Sequence, residues 1–219
     1  MMSDGSAGGS SMQIVKDKIF ARVRAKGRGA VYTTKDFLDL GSRAAVDQAL
    51  SRLVKEKALR RLRRGVFDYP RVNPKLGGEL SADADQVAHA LARKVGSRIQ
   101  PSGALAANAL GLSTQVPAKR VYLTDGASRK IRVGNETMVF KHASPKSLVA
   151  KSKASTLVLQ ALRYLGRGGV GAEVIEKLRA TLSGQEKKRL VTDTRYASDW
   201  IVEVVQEIVR EEPLAKHPS

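Results

Sequence analysis

Two consecutive stretches decide how this chain is read: Ser42-Arg43-Ala44-Ala45-Val46-Asp47-Gln48-Ala49-Leu50-Ser51-Arg52-Leu53-Val54-Lys55-Glu56-Lys57, then Leu59-Arg60-Arg61-Leu62-Arg63-Arg64-Gly65-Val66-Phe67-Asp68-Tyr69. In the first, Val46, Leu50 and Leu53 recur at helical spacing, with Ala49 and Val54 beside them. Ser42 is a good N-cap, so a helix from Arg43 to about Lys57 is predicted. Its other face carries Ala44, Gln48, Ser51, Arg52 and Lys55. After Ala58 the period shifts toward two, and Leu59–Leu62 and Val66–Tyr69 read as short strands around the turn Arg63-Arg64-Gly65.

Upstream, Val15, Ile19 and Val23 mark an amphipathic helix from Met12 to Lys26, ended by Gly27-Arg28-Gly29. Val31-Tyr32-Thr33 is β-prone, and Thr34 is placed to cap a second, short helix over Lys35–Leu40 before Gly41. Helix, helix, turn, helix and hairpin form a winged helix-turn-helix over residues 12–71. A third helix with small and polar outer residues can enter a major groove about 12 Å wide, where Arg43, Gln48 and Arg52 offer donors to base edges. Lys55, Lys57, Arg60, Arg61, Arg63 and Arg64 set a cationic wing beside the phosphates. The expected DNA-contacting set is Thr33, Thr34, Arg43, Gln48, Ser51, Arg52, Lys55, Arg60, Arg61, Arg63 and Arg64. RNA is the nearest competitor, although the segment has few aromatics for base stacking and no GXXG-like loop.

Charge points the same way. The 219 residues hold 39 Lys and Arg against 21 Asp and Glu, a net charge of +18. Residues 1–71 carry +9 of it, 72–146 carry +6 and 147–219 carry +3. A polyanion should therefore meet the N-terminal third first. The 42% hydrophobic content is that of a globular protein. With no cysteine there are no disulfides, thiolate nucleophiles or Cys-ligated zinc sites, and the chain fits a reducing cytoplasm. Residues 1–11, MMSDGSAGGSS, read as a disordered leader without signal-peptide character. No apolar run is long enough to span a membrane.

Beyond the stretch Pro70 to Gly78, read as a linker, a mixed α/β region is expected over residues 79–212. Helices are predicted at Asp83–Val95, Ser102–Leu110, Lys153–Leu165, Glu173–Leu182 and Ala197–Glu212. Strands are expected at Val121–Thr124, Lys130–Val133 and Thr137–Lys141, the last two forming a hairpin. The fold class is thus α+β, an N-terminal winged helix followed by a small sheet with several helices. Gly166-Arg167-Gly168-Gly169-Val170-Gly171 follows a helix where a dinucleotide fingerprint needs a strand, so it reads as a corner. Asp199, Glu203 and Glu207 line one face of the final helix, with a solvated face as the default reading.

Catalytic constellations are thin: His89, His142 and His217 are scattered, with no HExxH, Walker or Ser-elbow pattern. Neither an enzyme, a cofactor nor a metal is expected. Tyr32-Thr33-Thr34-Lys35-Asp36-Phe37, Ala49-Leu50-Ser51-Arg52-Leu53 and Leu62-Arg63-Arg64-Gly65-Val66-Phe67-Asp68-Tyr69-Pro70 resemble the winged-helix region of AbiEi-type antitoxins. Gln100 to Leu112 and Thr124-Asp125-Gly126 extend the resemblance over most of residues 14–165. It implies a transcriptional regulator of a bacterial type IV toxin–antitoxin system used in abortive infection and phage defence. Such a protein represses its own operon at an operator in double-stranded DNA and counteracts a nucleotidyltransferase toxin. The region after the wing would then serve a dimer on DNA, the toxin, or further DNA contacts. The alternatives are an RNA-binding accessory protein and an antitoxin acting only through protein contact.

Overall fold

A computed structural model describes residues 7–115, 117, 119–144, 148 and 152–210. The fold is mixed α and β, and the chain divides into two compact units: Met1–Arg98 with Arg132–Glu136, and Ile99–Ile131 with Thr137–Ser219.

The first unit opens with α1 (Ala7–Lys26), which begins inside the segment expected as a leader; residues 1–6 of that leader lie outside the described residues. Gly27 ends it at φ +85. Val15, Ile19 and Val23 pack against Val46, Ala49, Leu50 and Leu53 of α2 (Arg43–Lys55), closing a core with Tyr32, Phe37, Leu59 and Phe67. Ser42 Oγ accepts the Ala45 N–H at 3.3 Å, the expected cap. Between β1 (Val31–Thr33) and α2, the short helix expected over Lys35–Leu40 is a single 3-10 turn, Thr34–Phe37. Four residues cannot propagate an α-helix. The Asp36 carboxylate folds back to accept the Thr33 N–H at 2.7 Å, which makes Thr33 rather than Thr34 the capping residue.

The strands β2 (Arg60–Arg63) and β3 (Val66–Asp68) form the expected hairpin, with a register shift between Arg61 and Arg63. β1 adds to it antiparallel, giving the order β1-β3-β2. The expected linker is not a tether: β4 (Val72–Asn73) and β5 (Gly78–Glu79) pair around a 3-10 turn at Pro74–Leu76. α3 (Ala84–Val95) follows, capped by Asp83 Oδ1 on the Gln86 N–H at 2.8 Å and ended by Gly96 at φ +76. It buries Val87, Ala88 and Leu91 and packs on β1, with Arg93 Nη2 donating to the Val31 carbonyl at 3.0 Å. Residues 79–98, expected with the second part, therefore group with the first.

The second unit holds a four-stranded sheet in the order β6-β7-β9-β8, from β6 (Ile99–Pro101), β7 (Arg120–Thr124), β8 (Arg129–Val133) and β9 (Glu136–His142), of which Arg132–Glu136 group with the first unit. β6 pairs antiparallel with β7, and β7 pairs parallel with β9. Tyr122, Met138 and Phe140 are buried there. α4 (Gly103–Ala109) packs closely on α5 (Lys153–Leu165) through Ala106, Ala107 and Ala161. Gly166, at φ +68, closes α5, and Arg167–Gly169 make a 3-10 turn, so the glycine run is a corner. α6 (Ala172–Thr181), α7 (Gly184–Asp193) and α8 (Asp199–Val209) share a core with α5 built on Leu159, Leu162, Leu178, Leu190, Ile201 and Val205. α7 is not among the helices expected from the sequence, and its only buried residue is Leu190. α8 starts at Asp199 rather than Ala197, and the expected end at Glu212 lies outside the described residues.

Candidate nucleic-acid interface

Helix α2 turns Val46, Ala49, Leu50 and Leu53 inward, which leaves Arg43, Ala44, Asp47, Gln48, Arg52 and Lys55 on its outer face and Ser51 half-buried. Thirteen residues give a rod of about 20 Å, long enough to lie along a groove. Arg43 Nε pairs with Asp47 one turn on, at 2.9 Å. Gln48, Arg52 and Lys55 have no hydrogen-bond or ion-pair partner among the described residues, so their donors are available to an incoming ligand.

The β2–β3 turn presents Arg63 and Arg64, both exposed. Gly65 adopts φ +69, and a Cβ there would lie 3.3 Å from Lys94 Nζ, so glycine lets the turn close against the end of α3. Lys94 Nζ donates to the Arg64 carbonyl at 2.5 Å. Burial first, and then the charges of Arg63, Arg64 and Arg43, hold Lys94 below the ordinary lysine range. Three cations, from the start of α2 and the hairpin turn, thus act on a fourth in the last turn of α3. Such a like-charge group is relieved by an anion of matching extent.

The remaining expected residues are placed differently. Thr33 and Thr34 are buried, and Thr33 Oγ1 has no partner among the described residues; both sit in the core of the unit rather than on its surface. Arg60 is turned inward as a clasp. Its Nε and Nη2 grip the Asp68 carboxylate at 3.1 and 2.6 Å, and Nη2 also donates to the Leu80 carbonyl at 2.9 Å. Asp68 is 1% exposed, so this pair is internal and Arg60 is not a free phosphate ligand. Arg61, one residue on, is exposed with its guanidinium over the Phe67 ring at 5.6 Å. Arg43, Gln48, Arg52 and Lys55 of α2 and Arg61, Arg63 and Arg64 of the hairpin are all exposed, and of these Arg43, Arg63 and Arg64 act electrostatically on Lys94.

Lys94 is the member of this group that the sequence does not single out. Its only sequence signal is a basic pair, Arg93-Lys94, in a last helical turn, a placement that the helix dipole explains without any ligand. Among the described residues no group of three His, Cys, Asp or Glu side chains could hold a metal ion. His89 Nδ1 lies 2.9 Å from the Asp85 carbonyl and His142 Nδ1 3.1 Å from that of Gly126, while His217 lies outside the described residues. No helix among the described residues is long and apolar enough to cross a membrane.

A family model described as a family of unknown function, DUF6088, matches residues 18–190, a span that takes in α2, the hairpin and α3. No curated protein matches the chain.

Proposed function

The chain belongs to DUF6088, a family of unknown function, and on the character of its own surface we propose that it is a double-stranded-DNA-binding transcriptional regulator. In this reading α1, the 3-10 turn, α2 and the β2–β3 hairpin work as a winged helix-turn-helix. The observation that carries it is that Arg43 at the start of α2 and Arg63 and Arg64 of the hairpin all act on Lys94, while the outer face of the same α2 carries Gln48 and Arg52 without partners among the described residues. In this reading charge attracts the phosphates, and free polar side chains on a rigid helix read bases. The work is shared: Arg63, Arg64 and Lys94 contact the backbone, while Gln48 and Arg52 face base edges.

Fluorescence anisotropy with the full chain, on duplex from upstream of its own gene and on scrambled duplex, tests the proposal. Arg63→Ala/Arg64→Ala is expected to weaken binding to both and to flatten the slope of log K against log salt by about 0.9 for each phosphate no longer neutralised. Gln48→Ala and Arg52→Ala should reduce discrimination by about 1–3 kcal/mol for each bidentate base pairing removed, with little change on scrambled duplex. Equal weakening on the two duplexes would remove α2 from the groove.

The AbiEi-like sequence features support a second role, antitoxin to a nucleotidyltransferase toxin in the cytoplasm, with the operon as the repressed target. Co-expression with the product of the adjacent reading frame tests it: growth rescue is expected, and its absence would leave the regulator without that role.

A further inference from the structure

Residues 172–210, which form α6, α7 and α8, hold seven basic and seven acidic side chains. The charges are nonetheless sorted. A cavity of about 400 Å³ is lined by Arg179 of α6, Lys187 and Lys188 of α7 and Arg210 after α8, with Val191 and Val209, and among the described residues no acidic one lines it. Glu176 accepts from Arg179 Nη1 at 2.5 Å and balances part of that charge, while Glu186 of α7 accepts the Ser183 N–H at 2.9 Å. Arg179 Nη2 donates to the Glu207 carbonyl at 2.8 Å, which holds the guanidinium in place and covers a carbonyl that would repel an anion.

We propose that this cavity is a phosphate-binding site of nucleotide size. Lys187, Lys188 and Arg210 would hold the phosphates above a fixed Arg179. The volume falls within the range of small-molecule sites and exceeds what a bare phosphate needs. Val191 and Val209 supply an apolar wall for the sugar or base, and Val191 is 38% exposed. Arginine and lysine here divide the labour their chemistry favours, a planar fork held rigid and mobile point charges around it. The ligand's phosphates come either from a free nucleotide or from a single nucleic-acid strand laid across the site. The site belongs wholly to the second unit and does not depend on the duplex-binding surface.

The test uses the full chain carrying Arg61→Ala/Arg63→Ala/Arg64→Ala, which reduces the contribution of the first surface to the signal. Isothermal titration with ATP and, separately, with a short oligothymidylate strand is compared with the same chain also carrying Lys187→Gln/Lys188→Gln/Arg210→Gln. The added changes should weaken binding by at least about tenfold, and Lys187→Arg/Lys188→Arg should retain it. Weakening for ATP identifies the free nucleotide as the source; weakening for the strand alone identifies nucleic acid. Binding of neither probe, or unchanged affinity for both, would overturn the site. The single change Lys188→Gln, at an exposed side chain, gives the same reading should the triple change disturb folding.

Discussion

Arg60 and Arg61 are neighbours in sequence with opposite destinations. The Arg60 fork closes on a carboxylate that is 1% exposed and reaches a carbonyl twenty residues on, whereas Arg61 lies in solvent across an aromatic ring. Removing Arg60 leaves the Asp68 charge inside the protein without its partner. Arg60→Ala is expected to cost about 2–3 kcal/mol, toward the low end for a buried pair because the guanidinium is itself 29% exposed. Arg61→Ala should cost less than about 0.5 kcal/mol. Urea midpoints at constant m-value measure both; equal, small shifts would show that the clasp is not part of the fold. Lys94 carries a second expectation at this scale. Its folded pKa is lowered, so protonation disfavours the free folded state; that penalty begins to lift as pH rises through the folded value and is gone above the ordinary lysine value. A bound phosphate reverses the sign by favouring the charged amine. DNA affinity should therefore fall with pH across the alkaline window below the ordinary lysine range, and Lys94→Gln should remove that dependence. An unchanged pH profile in the variant would place Lys94 away from the phosphates.

Among the elements, α4 and α5 meet through residues too small to separate them. A Cβ on Gly103 would sit 2.7 Å from the Gln160 carbonyl oxygen and closer still to Tyr164 Cβ. Gly103→Ala must therefore push the two helices apart, at an expected cost of about 2–3 kcal/mol. Tyr164→Ala should not restore stability, because the obstruction is at Cβ and the backbone rather than in the ring. Thermal unfolding of the single and double variants decides this, and rescue by Tyr164→Ala would locate the strain in the ring. The helices α1, α2, α3 and α5 are legible in the sequence because each repeats apolar residues at three- and four-residue intervals over several turns. α7 is not, since Gln185, Lys187, Lys188 and Arg189 dominate it and Leu190 alone is buried. β6 escapes for a different reason: three residues cannot display a period, and their strand character comes from pairing with β7.

For the whole molecule, the decisive revision is where the first unit ends. A fragment of residues 12–75 contains every element of the expected winged helix, yet it omits the Leu80 carbonyl that Arg60 holds and the helix that packs on β1. A fragment of residues 7–98 keeps both. The longer fragment should unfold cooperatively and bind duplex, and the shorter one should unfold at lower urea and bind more weakly. Coincident unfolding curves for the two would show that α3 adds nothing to the unit. The net charge of +9 on residues 1–71 remains the larger attraction for DNA, and the +6 on residues 72–146 now has one identified contributor to the same surface, Lys94.

By itself the sequence determined the α+β class, the helix α2 with its inward stripe and outward Gln48 and Arg52, and the basic hairpin that follows. Those are local properties: periodicity, capping and turn chemistry act over a few residues and can be read from them. Tertiary structure decided which of the expected contact residues are exposed. Thr33 and Thr34 were drawn into the core because β1 pairs with β3 over its full length, and Arg60 was turned inward by a carboxylate eight residues away. Lys94 joined the surface because α3 packs on β1 and ends against the hairpin turn. Interactions of that kind join residues tens of positions apart, and a basic residue in the sequence looks the same whether its partner will be a buried carboxylate or a phosphate.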